Sequence, residues 1–566
     1  MMMDALQKNT LRKLLIPLLI VLAGVIAYSS SFSGTFVYDD IPVILNNRSI
    51  RTLKVDLPYT RIVTDFSFKV NYALSGYNPA DFRMVNVMIH IIASLLLYGI
   101  IRRTMLLPVF RGKYVEVADI IAGIVSALWV AHPIQTESVT YICQRYESLM
   151  GLFYLLTLYC FIRGVTAGEK SNRIWLDCSL VSAIVGMGTK EVIVTVPLVV
   201  FVYDIIFMTG SPIETLRQRT LFYLAFVGTL GIFAMLWAGT LARSFVAGTP
   251  VIPPVSSWEY LLTQSQVVVH YLKVALLLEL PCMDYGWRVV TQPFSVLPES
   301  IFLVFLLMLS IYASYRRMLA GFAGLFFFIV LAPTSSFIPV YDPAVEHRMY
   351  LPLISVIVVS VLAMHFVLKM TFNKIRLASM LQYVIYSITA GIVIVGLVIT
   401  TIRRNEIYHS ELTLWHDVLE KRPQNLRAHL GICSSLLKEG KLKEAEACCR
   451  NLLSYLDKLE KDMSGFQPEL IKEDIRLIRV SALNNLGVCR YNNGDYGEAV
   501  LYFQQALQIC ERYIPARENL ALSLNQLGET NRARAEFLRL LCDDPENVLA
   551  KKYLELTQNK KESHQR

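Results

Sequence analysis

The sequence predicts an all-α chain in two parts: a polytopic transmembrane helical domain over residues 1–404 and a helical-repeat solenoid over residues 405–566. Three observations predict it. Only 17% of the residues are charged and 54% are hydrophobic, where soluble domains carry about 25% charged residues. Long apolar runs follow one another up to about Arg404 and then stop. Beyond that point small residues recur at a fixed period, the mark of stacked helical hairpins.

Lys8, Arg12 and Lys13 precede the first apolar run, Leu14 to about Phe32. It is too long for a signal peptide and lacks a clear small-residue cleavage site, so it reads as a first span with a cytoplasmic N-terminus. Further segments lie near 84–101, 117–131, 148–165, 174–189, 192–209, 220–240, 299–315, 318–338, 349–369 and 380–402. Each supplies roughly the 20 residues a bilayer requires, giving about eleven spans.

Charge between the segments sets the orientation. Arg102, Arg103, Arg111 and Lys113 follow the second span, Arg163, Lys170 and Arg173 the fourth, and Arg217 and Arg219 the sixth. All fall on the cytoplasmic side if the N-terminus does. The stretch 258–280 holds Gln264, Gln266, His270 and Lys273 and reads as an outer-surface or re-entrant helix, with a further span as the alternative that would move Arg316 and Arg317 outside and the tail to the cytoplasm. On the first reading the tail lies outside: in the periplasm if the source is bacterial, in the endoplasmic reticulum lumen if eukaryotic. Arg403 and Arg404, on that outer side, count against this orientation.

The tail is close to neutral, with 23 Lys and Arg against 24 Asp and Glu, so the net charge of +9 resides in the apolar part. No basic tract with interleaved aromatics occurs, which argues against nucleic acid. Of ten cysteines, Cys433, Cys448, Cys449, Cys489, Cys510 and Cys542 lie in the tail without a CxxC. Packing inside helices is the expectation for them, ahead of a disulfide framework.

The outer turns collect the reactive side chains. Asp39 and Asp40 follow the first span inside Phe36-Val37-Tyr38-Asp39-Asp40. His132, Glu137, Arg145 and Glu147 lie between the third and fourth spans, Lys190 and Glu191 between the fifth and sixth, and Asp342, Glu346, His347 and Arg348 between the ninth and tenth. An acid in partly apolar surroundings serves as a base near neutral pH. Arg145, Lys190 and Arg348 suit a phosphate, by guanidinium fork or by point charge. Each also has a plainer reading: a solvated loop for the Asp pair, topological flanks for the cations, helix terminators for His132 and His347.

In the tail, aligning Ala482 with Ala516 sets a period of 34 that also matches Leu486 with Leu520, Gly494 with Gly528, Ala499 with Ala533 and Phe503 with Phe537. An earlier copy runs from Ala428 through Gly440 and Ala445, displaced by an insertion of 20 placed around 457–474. This is the tetratricopeptide-repeat pattern, whose concave face binds peptides. A half-repeat, Leu414-Trp415 to Pro423, is expected to dock the array on the membrane domain.

Taken together, Phe36-Val37-Tyr38-Asp39-Asp40, His132-Pro133-Ile134-Gln135-Thr136-Glu137-Ser138-Val139, Arg145-Tyr146-Glu147, Lys190-Glu191 and Glu346-His347-Arg348-Met349-Tyr350-Leu351-Pro352, followed by the repeats, resemble the transmembrane and tetratricopeptide-repeat O-mannosyltransferase-like family. The resemblance covers nearly the whole chain. It implies an inverting membrane glycosyltransferase that uses a polyprenyl-phosphate sugar on the outer face, with the tail binding the acceptor protein. It places catalysis at Asp39 or Asp40, with the first position preferred, and donor phosphate at Arg145, Lys190 and Arg348. His132, Glu137, Glu147, Glu191, Glu346 and His347 then support the site. A divalent ion, Mg or Mn, is left open, with Asp39, Asp40 and Glu147 as its candidate ligands. Two other readings stand beside it: a non-enzymatic membrane-anchored repeat scaffold, and a lipid-linked sugar transporter.

Overall fold

In the computed structural model, residues 2–55, 59–247, 255–375, 378–462, 469–545 and 547–565 are described. The membrane part is built from α1 (Met2–Ala27), α2 (Ile62–Ser75), α3 (Pro79–Met105), α4 (Ala118–Val130), the short α5 (Thr136–Val139), α6 (Arg145–Thr166), α7 (Glu169–Gly186) and α8 (Val196–Asp204). It continues with α9 (Pro212–Gln218), α10 (Thr220–Ala247), α11 (Ser257–Ala275), α12 (Leu297–Tyr315), α13 (Leu319–Leu331), α14 (Pro352–Lys374) and α15 (Ser379–Ile407). Helix satisfies every backbone group within one segment, which hydrocarbon demands.

All eleven predicted segments are helical, but they are not alike. Among the described residues eight helices are long and apolar enough to cross a membrane, and the third segment passes only as a pair bent by 50°. That pair is α4 and the segment Pro133–Val139, broken where Pro133 has no N–H to continue the ladder. Two segments fall short of the span criteria. The fifth is α7, which carries the Arg173–Asp177 pair, and the ninth is α13, with 13 residues. α11 is not among the spans; it opens on a reciprocal Ser256–Glu259 capping box and buries Gln264 and His270.

The chain divides after Ser410, six residues beyond the expected 404/405 boundary. Arg404, Asn405 and His409 hydrogen-bond into the membrane part, and this holds the end of α15 there. The second unit comprises Glu411–Arg566 together with Asp284–Gly286.

That unit contains α16 (Glu411–Lys421), α17 (Leu426–Lys438), α18 (Leu442–Asp462), α19 (Glu469–Asn492), α20 (Tyr496–Ile509), α21 (Ile514–Gln526), α22 (Thr530–Asp543) and α23 (Val548–Gln565). Gly440, Gly494 and Gly528 close the first helix of successive hairpins at φ of +73°, +87° and +79°, the left-handed region that glycine enters without steric cost. The predicted insertion is absorbed mainly by longer helices: α18 has 21 residues and α19 has 24, against 14 for α20 and 13 for α21. Its stretch 463–468 lies outside the described residues. Cys449 and Cys489 pack in the core as expected, but Cys433 and Cys448 form a disulfide between α17 and α18. The helical register of the hairpin brings their Cα atoms to 5.4 Å. α16 belongs to this unit.

Candidate active site

Between α4 and α6 the chain runs through short turns, yet from Ala131 to Met150 every residue except Gln144 is buried. Buried irregular backbone must find hydrogen-bond partners elsewhere, and here they come from both ends of the membrane unit. Arg83 donates to Thr140 O at 3.0 Å, Asn86 to Val139 O and Ile142 O at 3.1 and 3.3 Å, and Thr401 to Ala131 O at 2.7 Å. The 346–350 turn is tied to it as well: Trp129 and Gln135 donate to Tyr350 O at 2.9 and 3.2 Å. The segment is a hub against which the 37–40 and 346–350 turns are assembled.

The acidic pair divides into two different environments. Asp40 is fully buried, and its carboxylate accepts from Val37 N at 3.1 Å and from Cys143 N at 2.7 Å. Burial pushes its pKa up to about 7, against the pull of these two amides and of Arg83. Asp39 is half-buried, and its N–H donates to the Tyr141 hydroxyl at 2.9 Å. Between Val37 and Asp40, Tyr38 sits at φ +47°, a conformation that a non-glycine residue holds only when its surroundings enforce it. Asp40 closes this turn and fixes it to the hub, and the Asp39 side chain is the more exposed of the two.

A ladder of charged and hydrogen-bonded pairs follows. Lys190 Nζ lies 2.6 Å from Glu147 Oε2, His347 Nδ1 lies 2.7 Å from Glu137 Oε1, and Arg404 lies 3.0 Å from Glu346 Oε2. Glu137 Oε2 also accepts from the amides of Glu346 and His347 at 2.8 and 3.2 Å. Burial, with the Lys190 ammonium nearby, holds His347 well below the ordinary imidazole value. The neutral ring donates Nδ1–H to Glu137, which leaves Nε2 as its basic nitrogen. Lys190 and Glu147 are within electrostatic reach of His347, so the pairs form one cluster.

Other expected members are placed elsewhere. The Arg145 guanidinium is fully buried and donates to Asn86 at 2.6 Å, Asn71 at 2.8 Å, Phe82 O at 2.9 Å and Ser67 at 3.3 Å, with the Phe68 ring centroid 4.6 Å away. As placed, it knits α2, α3 and α6 together and presents no donors to a phosphate. Glu191 pairs with Arg61 at 3.3 Å, outside the ladder. His132 caps the 3-10 turn at Ile134 N and donates Nε2–H to Ala275 O at 3.1 Å, so one ring nitrogen serves the broken helix and the other ties it to the end of α11. Arg348 reaches the carbonyls of Asp342 and Pro343 and the Tyr260 hydroxyl. A divalent ion finds no ready donor set. Among the described residues no three His, Cys, Asp or Glu side chains converge. Asp40 faces backbone amides and Glu147 faces Lys190.

Sequence reasoning missed Arg404, Arg83, Tyr141 and Asn86. Arg404 read as a flank of the last span, yet it donates to Thr136 Oγ1 at 3.0 Å and Pro281 O at 2.6 Å besides pairing with Glu346. Its position at the end of an apolar helix, on the side where the expected topology makes a basic flank out of place, was the available signal.

Residues 479–538 match the tetratricopeptide repeat family. The human protein O-mannosyl-transferase TMTC4 is 24% identical over 482 residues, covering 74% of this chain and 63% of that protein. This chain is similar to the TMTC protein O-mannosyl-transferases. The Caenorhabditis elegans protein O-mannosyl-transferase F38B6.6 is 24% identical over 76% of this chain and 61% of its own length. The Drosophila melanogaster protein O-mannosyl-transferase Tmtc2 is 28% identical over 47% of this chain and 30% of its own length. The chain thus spans under two thirds of the length of these TMTC relatives.

Proposed function

We propose that this chain is a multi-pass membrane glycosyltransferase that moves mannose from a polyprenyl-phosphate carrier to a protein hydroxyl on the outer or lumenal face. The observation that carries the reading is the buried hub, which sets Asp39 on a fixed turn and assembles the Lys190–His347 cluster beside the ends of apolar helices. A carrier whose lipid stays in the bilayer is met at such helix ends.

In this mechanism the acceptor oxygen attacks C1 of the sugar from the face opposite the phosphate. The C1–O bond to phosphate breaks, its electron pair leaves with the polyprenyl phosphate, and the configuration at C1 inverts. Asp39 takes the hydroxyl proton, and Asp40 holds the turn that presents it. Lys190 and Arg348 favour the charge developing on the leaving phosphate, while Glu137 fixes the His347 ring. No step is routed through a metal. The repeats bind the acceptor polypeptide, and the Cys433–Cys448 disulfide suits an oxidising compartment for the tail.

The test uses the purified full chain in nanodiscs with polyprenyl-phosphate mannose and an acceptor protein. Asp39→Asn abolishes transfer while the protein stays monodisperse; undiminished transfer in Asp39→Asn refutes its assignment as the base, and undiminished transfer in Asp40→Asn as well removes the acidic pair from the site. Protease protection of a C-terminal tag in sealed vesicles reports the side of the tail, and a cytoplasmic tail ends its role in acceptor binding.

A further inference from the structure

Along α4 and the middle of α14, running away from the hub, α4, α14 and α15 line an open-sided cavity of about 220 Å³. Its wall is nearly all hydrocarbon: Ile120, Ile124 and Leu128 from α4, Met364 and Leu368 from α14, and Val393 from α15. Its polar lining is Ser360, Thr389, Tyr386 and His365, whose ring stacks on Tyr386 with centroids 5.5 Å apart and planes at 29°. The Tyr386 hydroxyl donates to His365 O at 3.2 Å and pins the ring pair between α14 and α15. Lys113 and Lys369 are exposed and lie within electrostatic reach of His365. The helix directions place this cavity opposite the candidate active site. α4 reaches the hub at its C-terminal end and α14 at its N-terminal end, whereas Lys113 precedes α4 and Lys369 stands in the last turns of α14.

The geometry points to a binding site for an anionic glycerophospholipid, with one acyl chain lying between α4, α14 and α15 and its phosphate meeting Lys113 and Lys369. A lipid chain laid against this methyl-lined wall gains dispersion contacts along its length. The two lysines stand on the side that the basic loops mark as cytoplasmic, where the leaflet carries anionic lipids and each nearby lysine strengthens binding. The sugar carrier is a poor occupant, because a phosphate held here is on the wrong side for Asp39 and Lys190.

The test is native mass spectrometry of the full chain released from phosphatidylcholine nanodiscs with and without phosphatidylserine. The wild-type chain retains phosphatidylserine in preference to phosphatidylcholine. The double variant Lys113→Gln/Lys369→Gln weakens that retention about 30-fold, from roughly fivefold per lysine, and leaves phosphatidylcholine unchanged. Lys443→Gln in the tail changes neither. Filling the cavity with Ala390→Leu, or more fully with Ala390→Phe, removes both lipids while gel filtration stays monodisperse. Equal retention of the two lipids by the wild-type chain overturns the inference. So does retention indifferent to both lysines, or preferential displacement by polyprenyl phosphate, which makes the occupant the carrier instead.

Discussion

Asp40→Ala separates the two acidic neighbours most sharply. The substitution leaves the amides of Val37 and Cys143 without the carboxylate that accepts from them at 3.1 and 2.7 Å. A buried donor left unsatisfied costs about 1–3 kcal/mol, so the pair costs about 2–6 kcal/mol, and the turn holding Tyr38 at φ +47° loses its clamp. Asp39→Asn alters a half-buried side chain and stays within about 0.5 kcal/mol. Heating in detergent followed by fluorescence-detected gel filtration measures both. The pH dependence has a definite sign. Asp40 is raised from 3.8 to about 7 in the folded chain, so unfolding releases a proton between these values. Its contribution is therefore fully present below about pH 4 and is lost as pH rises through 7, by at most about 4 kcal/mol. The wild-type midpoint falls across that window, and Asp40→Asn flattens its share of the fall. An Asp40→Ala protein as stable as wild type, or an Asp39→Asn protein destabilised by several kcal/mol, refutes the division of labour.

Arg404→Ala strips the buried cation from Glu346 and lowers stability by about 3–5 kcal/mol; detergent thermal shift reads it, and Arg404→Lys recovers part of the loss. Arg145→Lys, which cannot reproduce the fork to Asn86, Asn71 and Phe82 O, destabilises the membrane unit without selectively raising KM for the sugar carrier, as steady-state kinetics at reduced temperature will show. Cys433→Ser opens a disulfide that closes a 15-residue separation and lowers tail stability by about 3 kcal/mol; limited proteolysis with and without reductant reads the change, and reductant has no further effect on the variant.

The apolar runs and the 34-residue period were legible because each is a one-dimensional pattern: length for a span, register for a repeat. What the sequence concealed depends on distance across the fold. Arg145 looked like a free cation because Asn71, Asn86 and Phe82 stand 59 or more positions away along the chain. Arg404 looked like a flank because Glu346 lies 58 positions before it. Glu191 sat beside Lys190 in sequence, yet in space it turns to Arg61. Cys433 and Cys448 have no motif spacing, and their pairing follows from the register of one hairpin. Asp40 and Asp39, identical in sequence terms, differ because only one faces two buried amides.

The hub also fixes an order of events during synthesis. Ser33, just before the first outer turn, bonds to His409 across 376 positions, and Thr140 bonds to Asn405 across 265. At about 5–20 residues per second, the first turn leaves the ribosome about 20–75 s before its partner exists. Until then Asp40 and the turns of the hub sit at the bilayer edge without the last helix that completes them. The ladder is therefore a product of late assembly, and a chain interrupted between the 346–350 turn and α15 carries all of the candidate residues named from sequence without the arrangement that makes them a site.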